Sequence, residues 1–143
     1  MTTPPTTTPT TTPPFGTIVV GYTTGDLGQA ALAAAIEEAR VHGDHLILLN
    51  LTRGDAYSDP HFATQDQLEQ LHQQLSTTGL TYQIDQRVSA DPAEQVVETA
   101  QTHNARLIVI GLRHRSPMGK FLMGSNAQTI LMDAPCPVLS VKT

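Results

Sequence analysis

Tryptophan is absent, phenylalanine and tyrosine occur three times each, and cysteine occurs once in the 143 residues. So few rings leave little to stack on bases, and a formal net charge of -5 repels phosphate backbones, so no nucleic-acid partner is expected. The single cysteine, Cys136, excludes an intramolecular disulfide and fits a reducing cytoplasm. It lies between two prolines ahead of the last apolar run and reads as a buried, inert thiol. No apolar run approaches the roughly 18–20 residues needed to cross a bilayer, so no membrane contact is expected. The histidines show no spacing that puts two on one face beside an acid or cysteine, so no metal site is expected. No Ser-His-acid or Cys-His order stands out, and the first apolar run does not end in the acid pair of a response regulator. Catalysis is therefore not expected.

Met1 is followed by thirteen residues that are all Thr or Pro. None of them is charged or large enough to pack, so residues 1–15 are expected to form a disordered tail ahead of one domain over 16–143. A secretory signal would need a basic start and an apolar centre, and this tail has neither.

From Thr17 onward, apolar runs alternate with helical patterns. Ile18-Val19-Val20 reads as a buried strand, and Leu32, Ala35, Ile36 and Ala39 recur at helical spacing before Gly43 ends the helix. Leu46–Leu49 forms a second strand. Thr64-Gln-Asp-Gln67 is a capping box for a helix carrying Leu68, Leu71 and Leu75, closed by Gly79. Tyr82, Ile84 and Val88 share one face of an edge strand, and Asp91-Pro92-Ala-Glu94 caps a helix whose stripe is Ala93, Val96, Val97 and Ala100. Leu107–Ile110, a fourth helix through Ile130, and Val138–Val141 complete the set. Five strands alternating with four helices predict an α/β fold, a single doubly wound, mainly parallel sheet with helices on both faces. Ligands of such sheets bind beyond the carboxyl ends of the strands, at the switch point between the first and fourth. That places Gly21–Gly25, with Tyr22 and Thr23, beside Gly111–Ser125, which Ile110 and Asn126 flank.

This stretch runs from a strand to a helix start through a basic loop. Arg113, Arg115 and Lys120 are three of the eight Lys and Arg residues, and no acid occurs between Glu98 and Asp133. Ser125-Asn-Ala-Gln128 reads as a capping box, which would direct helix N–H groups toward Gly124 and favour an anion there. Gly124 is expected to admit phosphate because it has no side chain and accepts positive φ. Gly21-x3-Gly25-x2-Gly28 has the wrong first spacing for a dinucleotide fingerprint, and Asn50 stands where an acid would end the second strand.

Four segments in order resemble the universal stress protein family: Val20-Gly-Tyr-Thr23, Leu107-Ile-Val-Ile-Gly111, Gly111-Leu-Arg-His114 with nine residues before Gly124-Ser125, and Ala134-Pro-Cys-Pro-Val-Leu-Ser-Val141. The resemblance spans nearly everything from Thr17 to Lys142 and implies strand order 3-2-1-4-5. It implies phosphate and ribose contacts for Gly111, Gly124, Ser125 and Asn126, and nucleoside contacts for Leu51 and the region of Thr23, with Gly119 and His114 in the same loop. His114 replaces the pattern's second glycine. Thr23 replaces its acid, which removes a carboxylate that would accept from ribose hydroxyls or the adenine amine. Arg113, His114 and Arg115 add donors and charge to the loop. The function implied is binding of ATP or AMP, with magnesium accompanying ATP, in stress response or regulation. The alternative is a nucleotide-free dimeric module that contacts another protein. Either way, Val138, Leu139, Ser140 and Val141 form an edge strand that alternates buried and exposed positions without mid-strand charge or proline, and a homodimer through it is expected.

Overall fold

In the computed structural model, which describes residues 16–54, 58–112 and 123–142, each apolar run becomes a strand and each periodic segment a helix. The elements are β1 (Thr17–Gly21), α1 (Asp26–His42), β2 (His45–Thr52), α2 (Gln65–Ser76), β3 (Tyr82–Val88), α3 (Pro92–Thr102), β4 (Leu107–Leu112), α4 (Ser125–Asp133) and β5 (Val138–Lys142). The sheet order is β3-β2-β1-β4-β5, and every neighbouring pair is parallel. The tail at 1–15 and the loop residues Arg113, His114, Arg115, Gly119 and Lys120 lie outside the described residues.

Both faces of the sheet are covered, which is why the central strands are apolar at every position rather than at alternate ones. Ile18, Val20, Leu46, Leu48 and Val109 pack under α1 and α2. Val19, Ile47, Leu49, Ile108 and Ile110 pack under α3 and α4. At the amino ends of the strands, Arg106 Nε and Nη2 grip Asp44 at 3.0 and 2.8 Å, and the Asp44 side chain is fully buried. This pair closes the end of the sheet opposite the carboxyl ends of the strands.

The helix signals are realised with two corrections. Gly43 ends α1 in the left-handed conformation, Thr64 and Gln67 form the reciprocal capping box of α2, and Asp91 accepts from the Glu94 N–H. Gly79 does not close α2: the helix stops at Ser76 with Thr77 in a right-handed cap, and Gly79, at φ 79°, serves the following turn. Ser125 is the first residue of α4 rather than its cap. Gly124 takes the cap position with no side-chain hydrogen bond, while the Gln128 amide turns back to donate to Met123 O at 3.0 Å. Val88 shares the strand parity of Tyr82 and Ile84 but is 62% exposed, because β3 runs past the helices that cover its start.

β5 is the outer strand on one side, and Val138 through Val141 are all half-buried, not alternately buried and exposed. Leu139 and Val141 face the first core cluster and Val138 the second. The Ile108 N–H donates to Pro137 O at 3.1 Å, so by ladder alternation the N–H groups of Val138 and Ser140 point away from β4.

Candidate functional site

Gly21 of β1 is in register with Ile110 of β4, and the helices that follow these strands, α1 and α4, diverge to opposite faces of the sheet. The divergence leaves a cleft of about 940 Å³. That volume falls in the roughly 300–1,000 Å³ span of small-molecule sites. Gly21, Tyr22, Thr23, Leu51, Ile110, Gly111, Gly124 and Asn126 all line it. Ser125 is exposed and is not among the lining residues.

The glycines act differently from expectation. Gly124 has φ -66° and ψ 158°, so no left-handed backbone is used, and a Cβ added there would meet nothing within 4 Å. It stands at the start of α4, beside open space. Gly111 is the crowded one: a Cβ would lie 2.6 Å from Leu27 Cγ, so its bare backbone lets the first turn of α1 close over β4. Tyr22 contributes mainly backbone. Its side chain is 4% exposed, its hydroxyl accepts from Gln29 Nε2 at 3.0 Å, and burial pushes its pKa up against the opposing effect of that bond.

Sequence reasoning passes over a second group, delivered by the end of β2 and the loop after it. Arg53 Nη2 donates to Asn126 Oδ1 at 3.2 Å, which sets a guanidinium beside the first turn of α4. Asp59 and His61 also line the cleft, so an acid does reach it, although none flanks the basic loop in the chain. The Thr52 hydroxyl and then the His61 N–H, 2.9 Å from Oδ1, hold the Asp59 pKa below the usual carboxylate range. Asp59 is therefore ionised at neutral pH.

Asn50 fixes this loop. The residue is fully buried, and its side chain uses all four of its hydrogen-bonding positions: Nδ2 donates to Tyr22 O at 2.9 Å and His61 O at 3.0 Å, and Oδ1 accepts from the Ala63 N–H at 2.7 Å and Gln86 Nε2 at 3.0 Å. Two further bonds stitch the loop to the β1–α1 connection: Thr24 N–H to His61 O at 3.2 Å and Thr24 Oγ1 to Pro60 O at 2.6 Å. The signal was a lone Asn in an apolar strand. Such a residue needs partners, and these are the loops that wall the cleft.

Among the described residues, no group of three or more His, Cys, Asp and Glu could hold a metal ion, and no helix is long and apolar enough to cross a membrane. The donors present suit a phosphorylated ligand: Arg53 and the free N–H groups at the start of α4 for an anion, and apolar Leu51 and Ile110 for a flat ring.

The description Universal stress protein family belongs to the model that matches residues 14–142. A universal stress protein from Mycolicibacterium smegmatis is 42% identical over 125 residues, covering 87% of this chain and 96% of that one. The universal stress protein structure from Archaeoglobus fulgidus superposes with a TM-score of 0.73 at 26% identity, over 90% of this chain and 98% of that one. Two universal stress proteins solved with nucleotides share the fold at 20% identity each. One, from A. fulgidus, holds dAMP, with a TM-score of 0.58 over 90% and 98% of the two chains. The other holds cAMP, with a TM-score of 0.68 over 88% and 96%. A family match across the whole sheet, a relative at 42% identity and the same architecture agree, and the chain belongs to the universal stress protein family.

Proposed function

We propose that this protein binds an adenine nucleotide, ATP or AMP, in the cleft between the diverging ends of β1 and β4, and that it acts in stress response or regulation in the cytoplasm as a binding protein rather than an enzyme. The observation that carries the reading is a cleft at the switch point whose walls combine a cation and a helix start with apolar side chains. The dAMP and cAMP complexes of proteins with this fold support it. Phosphates lie toward Arg53, Gly124 and Asn126, with Arg113, His114, Arg115, Gly119, Lys120 and Ser125 joining from the loop and helix start. The base and ribose lie toward Thr23, Leu51 and Ile110. Magnesium enters with ATP, screening its phosphates from one another.

Melting scans with ATP, ADP and AMP, with and without magnesium, test this directly. Ligand at about 100 times its dissociation constant should add roughly 2.7 kcal/mol to stability. No shift with any of the three nucleotides would overturn the reading.

A second reading, a nucleotide-free dimeric interaction module, draws on the free edge of β5 and on Met132, 83% exposed on the adjoining helix. A homodimer through β5 is compatible with both readings. Ser140→Pro tests the assembly cleanly, since the lost N–H is one that β4 does not use, and β4–β5 pairing should survive. Sedimentation should show wild-type dimer and largely monomeric variant. A wild type that stays monomeric at about 50 µM, well above ordinary dimer affinities, would remove the edge proposal.

A further inference from the structure

We infer that Asp59 supplies the nucleoside-recognising carboxylate that position 23 lacks, accepting hydrogen bonds from the donors an adenine nucleoside offers, its ribose hydroxyls and its exocyclic amine. The inference rests on the nucleotide reading above and names the acceptor within that site.

The stitching between loops carries it. Thr23 lines the cleft without an acid, and the next residue, Thr24, holds Pro60 O and His61 O through its hydroxyl and its N–H at 2.6 and 3.2 Å. Asp59 directly precedes that pair and lines the same cleft, so the β2–α2 loop delivers a carboxylate to a neighbourhood where the β1–α1 connection, Tyr22-Thr-Thr-Gly25, carries none. The His61 N–H and the Thr52 hydroxyl occupy two of the roughly four lone-pair sites of the carboxylate, leaving acceptors for a ligand. Being held by two donors, the group is also fixed in place before a ligand arrives. Its negative charge repels phosphate, so it suits the uncharged donors of the nucleoside rather than the phosphate oxygens.

The test is calorimetric titration of wild type, Asp59→Asn and Asp59→Asn with Thr23→Asp, using AMP, its 2′,3′-dideoxy analogue, IMP and inorganic phosphate. Asn keeps an acceptor for the His61 N–H and the Thr52 hydroxyl, so the loop is retained while the charge and one acceptor are lost. Asp59→Asn should weaken AMP binding about tenfold or more. It should also shrink the preference for AMP over its 2′,3′-dideoxy analogue if a ribose hydroxyl is the donor, or over IMP if the amine is. Phosphate affinity should hold or rise, and adding Thr23→Asp should restore part of the AMP affinity. Equal AMP binding by wild type and Asp59→Asn would overturn the inference while leaving the nucleotide reading intact. So would a loss that changes neither preference, or one that Thr23→Asp fails to repair, since either assigns Asp59 to holding the loop alone. A wild type that binds none of these nucleotides removes the nucleotide reading and this inference together.

Discussion

Replacing Asn50 by Asp should destabilise the fold by about 3–5 kcal/mol, although the two side chains have nearly the same shape. The substitution turns Nδ2 into an oxygen, and both groups that Nδ2 serves, Tyr22 O and His61 O, are themselves acceptors. If the new carboxyl is ionised, a fully buried charge faces two carbonyl oxygens. If it is protonated, one O–H must serve two acceptors. Either way a backbone carbonyl loses its partner inside the protein, and no cavity is made that would confuse the result. The pH dependence gives a second reading. Burial among acceptors raises the folded-state pKa of the new carboxyl above its unfolded value, so its protonated form matches the fold better. The deficit is smallest below the unfolded pKa of about 4 and grows as pH rises through the folded value. Urea titrations at pH 4 and pH 8, followed by circular dichroism, should show a lower midpoint at both and a larger loss at pH 8. An unchanged midpoint would mean that the two bonds donated by Asn50 Nδ2 contribute nothing net.

The same residue shows where the sequence was readable and where it was not. Apolar runs at β1, β2 and β4, the Thr64 capping box and the Asp91 cap were legible because each is local: the partner of every group lies within a turn or a strand pair. β2 runs on to Thr52, beyond the apolar run that ended at Leu49, because Asn50 is paid for by partners 11 to 36 residues away that no periodicity reports. The spacing of Ser125 and Gln128 put the cap at Ser125. The choice fell to Gly124 once Gln128 turned toward Met123 O and left no reciprocal bond for Ser125. In the site, Thr23, Leu51, Gly111 and Asn126 were legible because strand ends and a helix start fix them. Arg53, Asp59 and His61 were not, because the loop that presents them is placed by Asn50 and Thr24, through contacts that span the chain. Gly111 carried the right signal with another cause, since its missing side chain admits Leu27.

Gly28→Ala should be the other severe variant, and its sign separates packing from propensity. In an exposed helix interior, exchanging Gly for Ala stabilises by up to about 1 kcal/mol, because Gly is the more flexible residue in the unfolded chain. Gly28 lies in the first turn of α1 and is buried beneath the β1–α1 loop, where an added Cβ would stand 1.5 Å from Thr23 O and 2.6 Å from Thr23 C. Those atoms are backbone and cannot rotate away, so either the loop lifts or the helix start unwinds. Overpacking of this kind outweighs the propensity gain, and the expected net cost is about 2–4 kcal/mol. The loop that must lift also carries Thr23 and Thr24, the first a wall of the cleft and the second the anchor of Pro60 and His61. Nucleotide-induced stabilisation should therefore shrink along with the fold's own stability, which a variant weakened at the Asp44–Arg106 end of the sheet should not show. Urea midpoints with and without AMP for Gly28→Ala and for Arg106→Met separate the two cases. A Gly28→Ala protein as stable as wild type would show that the β1–α1 loop is not held against α1 at all.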